Sequence, residues 1–301
     1  MSVQAHKYQY LKPETVGRIE NLELLARGIV EGFMTGLHKS PHHGFSVEFA
    51  EYREYVPGDP VRHIDWPVLA RADRVVIRQY EQETNLRATI VLDTSKSLDF
   101  KHGSPITKFQ YGCYTTAALI YLLSRQQDAV GLITHDHVIH KTFPPRASAP
   151  AVREMLLHLE SLRPVGRSNL AGVYHEIAER LPRRSLVILL TDLFDNPNEV
   201  ASALQHFRHR RHEVLLFHLL DDAEINLPYR GLIDFEDLET GQRIEVEAEL
   251  IRDAVQTSVQ DFITQYRKTC GDARIDYHVL NTAESFEKAL IAYLANRMRR
   301  R

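Results

Sequence analysis

The stretch LRATIVLDTSKS, residues 86–97, decides the fold. Its first eight residues form an aliphatic and β-branched run, which is typical of a strand buried on both faces of a sheet. The run ends at Asp93, where small polar residues replace the apolar ones. Runs of this kind alternate with helix-length amphipathic segments up to the C terminus. The alternation predicts a parallel sheet covered by helices.

We predict the remaining elements from the same patterns. The predicted strands are residues 129–136, an edge strand at 138–145 that ends at its prolines, and residues 185–192, 213–220 and 274–280. The predicted helices are residues 108–126, 149–162, 169–181, 198–210, 249–269 and 284–299. Right-handed crossovers then place helices on both faces. The expected fold class is α/β, a doubly wound and mostly parallel, Rossmann-like sheet.

Two parts of the chain interrupt this alternation. The run FEDLETGQRIEVEA, residues 235–248, has a Thr240-Gly241 turn between alternating stretches, so we predict a β-hairpin inserted at about residues 228–248. Residues 13–36 predict one or two helices, and residues 73–83 predict a strand. We therefore divide the chain into an N-terminal segment, residues 1–85, packed on a core domain, residues 86–301.

Composition excludes several classes of partner. The 301 residues carry a net charge of −3, which gives no electrostatic reason to expect nucleic acid or a membrane surface. No apolar run approaches the ~20 residues that a membrane span needs, and the N terminus has no signal-peptide core. The two cysteines, Cys113 and Cys270, are expected to be reduced core residues. We expect a cytoplasmic protein without a membrane span.

Oxygen-bearing side chains follow three segments of the predicted sheet and its helices. In the extended stretch DTSKS, alternate residues share a face, so Asp93, Ser95 and Ser97 point together. A carboxylate with two hydroxyls is a hard ligand set that suits Mg²⁺ or Mn²⁺. The end of another strand supplies Thr191 and Asp192. The loop GRSNL supplies Ser168 before a helix.

This combination resembles the metal-ion-dependent adhesion site of the von Willebrand factor type A fold. That site joins a D-x-S-x-S loop, a threonine from a second loop and an aspartate from a third. Asp93, Ser95, Ser97 and Asp192 match it, whereas Ser168 stands where the family has threonine. The resemblance implies a Mg²⁺ or Mn²⁺ ion with one open position, which a carboxylate of a partner protein fills.

A second resemblance rests on residues 44–97. The motifs EFAEYREYVPGD, R-x-IDW, LAR and QYEQE occur there in order, directly before the core. This block is similar to the signature of the bacterial family called domain of unknown function fifty-eight. The resemblance implies a MoxR-type AAA+ ATPase, or its client, as the partner, and it implies no enzymatic activity.

Several motifs have plainer interpretations. Ser95 or Ser97 could cap the following helix instead of holding a metal. Asp195 is expected to be a turn residue before Asn196-Pro197. His206, His209 and His212 predict a basic, solvated helix face. The chain shows no G-x-S-x-G elbow, D-x-D motif or P-loop. Residues 51–66, rich in charges and aromatic rings, predict an ordered brace on the core sheet, with a partner-binding surface as the alternative.

We therefore predict a non-catalytic interaction module with a metal site made of Asp93, Ser95, Ser97, Ser168 and Asp192. Two alternatives stay open at this point. One is a metal-dependent hydrolase that uses the same oxygen cluster. The other is a structural adaptor that works without metal.

Overall fold

The computed structural model of the chain describes residues 21–37, 52–54, 76–78 and 87–298. The chain divides into two compact units, one of residues 1–36 and 86–301 and the other of residues 37–85. In the smaller unit, strand β1 (Tyr52–Glu54) pairs antiparallel with strand β2 (Val76–Arg78). The rest of the predicted brace, residues 51 and 55–66, lies outside the described residues. Its packing on the core stays a prediction, as does the domain division at residue 85.

The larger unit alternates strands with helices, as expected. Its strands are β3 (Arg87–Asp93), β4 (Ala129–His135), β5 (Ile139–Arg146), β6 (Leu186–Thr191), β7 (Glu213–Leu220), β8 (Leu232–Glu236), β9 (Arg243–Glu247) and β10 (Asp276–Asn281). Its helices are α1 (Leu22–Leu37), α2 (Lys108–Arg125), α3 (Ala149–Ser161), α4 (Leu170–Arg180), α5 (Pro197–His209), α6 (Asp222–Asn226), α7 (Ala248–Asp272) and α8 (Glu287–Met298). A 3₁₀ helix covers Lys96–Asp99.

Six strands form one sheet in the order β10-β7-β6-β3-β4-β5. All neighbouring pairs are parallel except β4 with β5. The chain leaves β3 toward β4 and later returns to place β6 on the other side of β3, so the winding reverses between β3 and β6. This is the predicted doubly wound α/β sheet. In such sheets, ligands bind at the carboxyl ends of the strands beside the reversal.

The core on one face of the sheet joins β3, β6 and β7 to helices α4, α5 and α7. Its buried side chains include Val91, Leu189, Leu216, Tyr174 and Phe207. These strands are apolar at consecutive positions because helices cover both faces. Their rigid packing fixes where each strand ends, and therefore where the loops with oxygen side chains begin.

Helix α1 also belongs to the larger unit. Leu25, Ile29 and Phe33 are fully buried, and their four-residue spacing places them on one helical face. The Leu22 amide donates a 2.8 Å hydrogen bond to Glu160 Oε1 at the end of α3. The N-terminal helix predicted within residues 13–36 is thus present over Leu22–Leu37.

The edge strand β5 lies within one residue of its predicted bounds at each end. It covers Ile139–Arg146 and includes Pro144 and Pro145. Prolines are tolerated on an edge strand, and the pairing shifts register opposite them. Gly131 on β4 permits the close approach, since a Cβ there would lie 2.6 Å from the Phe143 carbonyl oxygen.

The predicted hairpin is present as an antiparallel pair of β8 with β9. Asp237 organises its turn: its side chain accepts hydrogen bonds from the Glu239 and Thr240 amides, at 2.8 and 3.3 Å. Gly241 adopts a positive φ of 73°, which favours glycine. The turn therefore holds Glu239 in a defined position at the tip of the hairpin.

Candidate functional site

Strand β3 delivers Asp93 to the reversal point of the sheet. Asp93 and Ser95 are fully buried. The Ser95 amide donates to Asp93 Oδ1 at 2.9 Å, and the hydroxyls of Ser95 and Ser97 lie 3.1 Å apart. The structure therefore brings together the three oxygen side chains of the DTSKS motif. Ser95 stands at the N-cap of the 3₁₀ helix, but its side chain makes no capping hydrogen bond.

Strand β6 delivers Thr191 and Asp192 beside Asp93, because β6 is the parallel neighbour of β3. Both residues are fully buried. The Thr191 hydroxyl donates a 2.8 Å hydrogen bond to Asp93 Oδ2. The Leu193 amide in turn donates to the Thr191 hydroxyl oxygen at 3.1 Å. Thr191 thus fixes the orientation of the Asp93 carboxylate.

The second loop, which carries Ser168, is tied to the first by its backbone. The Val165 amide donates to the Thr94 carbonyl at 2.9 Å, and the Lys96 amide donates to the Gly166 carbonyl at 3.1 Å. Gly166 has a positive φ of 75° where the loop turns. The loop between Asp93 and Ser97 and the loop before α4 therefore form one backbone-linked unit.

The Ser168 side chain itself is not joined to the others. Its hydroxyl oxygen is buried and has no hydrogen-bond partner among the described residues. Its amide donates to Glu239 Oε2 at 3.1 Å, so the hairpin tip contacts this loop. Glu239 Oε1 is also buried without a partner in the described part of the chain. Glu239 is absent from the predicted site, because nothing in the hairpin motif indicates where its tip lies.

Asp195 has a larger role than the turn residue that the sequence predicted. Its Oδ2 accepts a 2.6 Å hydrogen bond from the amide of Leu170, the first residue of α4. Its Oδ1 accepts from the Asn196 amide at 2.7 Å. Asp195 therefore ties the third loop to the second, and all three loops are connected pairwise.

The electrostatics of the site favour a nearby cation. Burial raises the pKa of the Asp93 carboxyl to about 7, and the charge of Asp192 raises it as well. Hydrogen bonds from Ser95 and Thr191 act in the opposite direction. A positive charge close to both carboxylates would stabilise the ionised form of Asp93 at neutral pH.

A positive charge beside one of these carboxylates, that of Asp192, is present in the chain, although the sequence pattern does not reveal it. Lys108, the first residue of α2, is fully buried. Its Nζ lies 2.9 Å from Asp192 Oδ2 and 2.7 Å from Glu224 Oε1. A lysine that begins a helix usually extends into solvent, so only its contacts in the folded chain reveal this position.

The donor set fits a divalent cation in part. Asp93, Ser95 and Ser97 converge, Asp192 is adjacent, and Ser168 offers an unpartnered buried hydroxyl; all are oxygen ligands of the type Mg²⁺ prefers. However, Asp192 Oδ2 already accepts a hydrogen bond from Lys108 Nζ. Within residues 21–37, 52–54, 76–78 and 87–298, no group of three or more His, Cys, Asp or Glu side chains is placed to hold a metal. The predicted ligand set accordingly has two carboxylates and three serine hydroxyls.

Histidines of the two histidine-rich stretches, residues 135–140 and 206–212, contact other side chains of the chain or are buried. His137 and His140 both contact Asp136 Oδ1, at 2.9 and 3.0 Å. His206 lies on α5 and contacts His175 at 3.0 Å between the Nδ1 atoms. His212 is fully buried beyond the end of α5, so the expectation that it lies on a solvated face was wrong. The three-residue spacing of the histidines continues past the end of the helix at His209, where it no longer marks a helix face.

Together these features define a doubly wound α/β domain with an oxygen-rich cluster at the reversal of its sheet. The chain belongs to the family described as "Protein of unknown function DUF58", whose model matches residues 51–264. The chain is 28% identical over 232 residues to the uncharacterized protein Mb1516 of Mycobacterium bovis and, equally, to Rv1480 of Mycobacterium tuberculosis. Each alignment covers 76% of this chain and 72% of the relative.

Solved structures resemble the chain in fold alone. BatB from Bacteroides thetaiotaomicron has a TM-score of 0.48 and 15% identity, covering 72% of this chain and all of that one. The von Willebrand A domain of SpRpn10 has a TM-score of 0.38 and 9% identity, covering 70% and 94%. An aerotolerance-related membrane protein from Bacteroides fragilis has a TM-score of 0.47 and 17% identity, covering 70% and 99%. In the described part of this chain, no helix is long and apolar enough to cross a membrane.

Proposed function

We propose that the chain is a non-catalytic protein-interaction module that recognises a carboxylate of its partner through a divalent cation, Mg²⁺ or Mn²⁺. The residues that would hold the cation, directly or through water, are Asp93, Ser95, Ser97, Ser168 and Asp192. The bound cation would supply an open coordination position for the partner's carboxylate. The chain's own residues would position the cation and limit the access of water.

The observation that carries this proposal is the convergence at the carboxyl end of β3. Asp93 accepts hydrogen bonds from the Ser95 amide and the Thr191 hydroxyl, so its carboxylate is held in one orientation. The Ser95 and Ser97 hydroxyls lie beside it. A carboxylate whose pKa is raised by burial and by a second carboxylate gains stability when a cation approaches.

An apolar groove adjoins this cluster and supports an interaction role. A cavity of about 600 Å³ opens between the hairpin and α7, and Phe194, Phe235, Ile244, Val259 and Phe262 are among its lining residues. Phe194 follows Asp192 by two positions and is 45% exposed. A partner that places a carboxylate at the cluster could bury an apolar side chain in this groove.

We further propose a MoxR-type AAA+ ATPase, or its client, as the partner, on the basis of family resemblance, and the cytoplasm as the location. The two free cysteines, Cys113 and Cys270, are both buried, which suits a reducing compartment.

The metal requirement is tested by calorimetric titration of Mg²⁺ and Mn²⁺ into the wild type and Asp93→Ala. We expect binding to be lost in Asp93→Ala and kept in Asp99→Ala, which removes an exposed carboxylate from the 3₁₀ helix six residues further on. Equal affinity in all three proteins would remove the metal from the proposal. A purified MoxR-type ATPase should then bind the immobilised wild type in Mg²⁺ and dissociate in EDTA.

A metal-free adaptor is the second candidate, and one observation favours it. The ammonium of Lys108 already neutralises Asp192 from within the chain. If the ATPase binds equally well in Mg²⁺ and in EDTA, this candidate replaces the first.

A further inference from the structure

Lys108 carries a charge that the protein buries beside the candidate site. Its side chain is 0% exposed, and its Nζ contacts both Asp192 Oδ2 and Glu224 Oε1. The same Nζ lies 4.6 Å from the centre of the Phe194 ring. A lysine is almost never fully buried unless it is paired, because an isolated buried charge strongly destabilises the folded state. The surroundings of Lys108 Nζ therefore favour the protonated, ammonium form of the side chain.

The charges around Lys108 do not balance. The Lys108 Nζ lies 2.9 Å from Asp192 Oδ2 and 2.7 Å from Glu224 Oε1, so two ion pairs hold the side chain as an ammonium. One positive charge contacts two carboxylates, those of Asp192 and Glu224, and Asp192 in turn lies near the carboxylate of Asp93. The cluster retains an excess of negative charge when its carboxylates are ionised, although it already contains a cation.

We propose that the Lys108 ammonium is the resident cation of the candidate site, and that it competes with a divalent cation for Asp192. This inference rests on the proposed function only in naming the divalent cation as the competitor. Two positive charges that share one buried carboxylate repel each other strongly, because the surrounding medium screens them poorly. Lys108 therefore lowers the affinity for metal and keeps Asp192 neutralised when no metal is bound.

Glu224 gives the ammonium a second carboxylate. It is the N3 residue of the capping box of α6, and its Oε2 accepts a 2.7 Å hydrogen bond from the Asp221 amide. Its position is thus fixed independently of Lys108. When a metal ion binds Asp192, Lys108 keeps its ion pair with Glu224 and is not left as an unpaired buried charge. Lys108 and Glu224 should consequently act on metal affinity in opposite directions.

The test is Mn²⁺ binding, measured by electron paramagnetic resonance and calorimetry. Lys108→Met removes the charge and keeps an unbranched side chain that is one atom shorter, and we expect it to bind Mn²⁺ at least tenfold more tightly than the wild type. Lys96→Met removes an exposed positive charge from the same loop as Ser95, and we expect less than a threefold change. Glu224→Gln leaves Asp192 as the only carboxylate on the ammonium, and we expect roughly tenfold weaker binding.

Folding is followed in parallel, because Lys108→Met leaves two buried carboxylates without a cation. The double variant Lys108→Met/Glu224→Gln removes one charge of each sign and provides a second protein for the same titration. We expect Mn²⁺ to raise the melting temperature of Lys108→Met more than that of the wild type. A purely structural lysine would lower the melting temperature without tightening Mn²⁺ binding in either variant.

The outcomes separate this inference from the proposed function. Tighter binding in Lys108→Met, lost again when Asp93→Ala is added, supports both if the wild type also binds. Binding in Lys108→Met but not in the wild type supports the resident cation and overturns a metal-dependent function. Equal Mn²⁺ affinity in the wild type, Lys108→Met and the double variant overturns the inference and leaves the proposed function standing. No binding in any of these proteins overturns both.

Discussion

The Thr191 hydroxyl donates a 2.8 Å hydrogen bond to Asp93 Oδ2, and this bond joins the ends of the two strands between which the sheet reverses. Both side chains are fully buried. The hydroxyl oxygen also accepts from the Leu193 amide, so Thr191 connects the carboxylate to the loop that carries Asp192. This hydrogen bond forms because β3 and β6 are neighbours in the sheet, and it orients the carboxylate of Asp93, a predicted metal ligand.

Replacement of Thr191 by valine keeps the shape of the side chain and removes both hydrogen bonds. We expect Thr191→Val to lower the free energy of unfolding by about 2 kcal/mol, because a buried carboxylate loses a donor and an amide loses its acceptor. Urea denaturation at pH 8 measures this, since Asp93 is then above its pKa of about 7. Thr191→Ser keeps the hydroxyl and should lose clearly less. Equal urea midpoints for Thr191→Val and the wild type would show that the hydrogen bond from Thr191 to Asp93 contributes nothing to stability.

A substitution at Gly166 tests the turn that connects the loop carrying Ser168 to the loop between Asp93 and Ser97. A Cβ at Gly166 would lie 2.1 Å from Asp136 Oδ2, and the residue has a φ of 75°. Gly241 has nearly the same φ, 73°, but a Cβ added there would have no atom of the described residues within 4 Å. We expect Gly241→Ala to cost about 1 kcal/mol from the backbone alone. Gly166→Ala should cost at least twice as much, and a matching cost at both positions would show that Asp136 moves away freely.

The sequence predicts the sheet well because its signal is local. β3, β6 and β7 are apolar at consecutive positions, and each is followed by polar residues within the chain itself. Asp93, Ser95 and Ser97 lie together because they share one extended segment, so their spacing alone indicates the contact. The strand order that brings Thr191 to Asp93 is seen only in the fold, where β6 pairs with β3.

The parts that the sequence does not predict depend on contacts between distant segments. Lys108 looks like an ordinary residue at a helix start, and only the positions of Asp192 and Glu224 show that it is buried as an ion. Glu239 reaches Ser168 across 71 residues, and Asp195 reaches Leu170 across 25. No period or spacing encodes such pairs.

The contact between Glu239 and Ser168 can be tested without metal. Glu239→Ala removes the acceptor of the Ser168 amide, and we expect that amide to exchange its hydrogen about tenfold faster, the equivalent of one charged hydrogen bond. Hydrogen exchange read by NMR measures it. Glu245→Ala removes an exposed carboxylate from strand β9 of the same hairpin and should leave the exchange of Ser168 unchanged. Unaltered protection in Glu239→Ala would mean that the hairpin tip does not hold this loop.

The lowered pKa of His218 leads to a prediction of how the free energy of unfolding depends on pH. Burial lowers its pKa to about 4, although the charge of Asp192 acts to raise it. An unfolded imidazole titrates near 6.5, so the unfolded chain binds a proton that the folded chain rejects. His218 therefore does not reduce the free energy of unfolding above pH 6.5. The free energy of unfolding decreases as the pH falls from 6.5 toward 4. Between pH 7 and pH 5 this loss amounts to about 2 kcal/mol.

The variant His218→Gln isolates this contribution. Burial also lowers the pKa of His135 to about 4, while the raised pKa of Asp93 acts in the opposite direction, but both groups are present in the wild type and in the variant. Their contributions therefore largely cancel in the difference between the two proteins. On going from pH 7 to pH 5, the wild type should lose about 2 kcal/mol more unfolding free energy than His218→Gln. His209→Gln, at an exposed position on α5, controls for the loss of one imidazole and should follow the wild type. Parallel pH profiles for the wild type and His218→Gln would show that His218 can be protonated without leaving its buried position between Tyr277 and Tyr266.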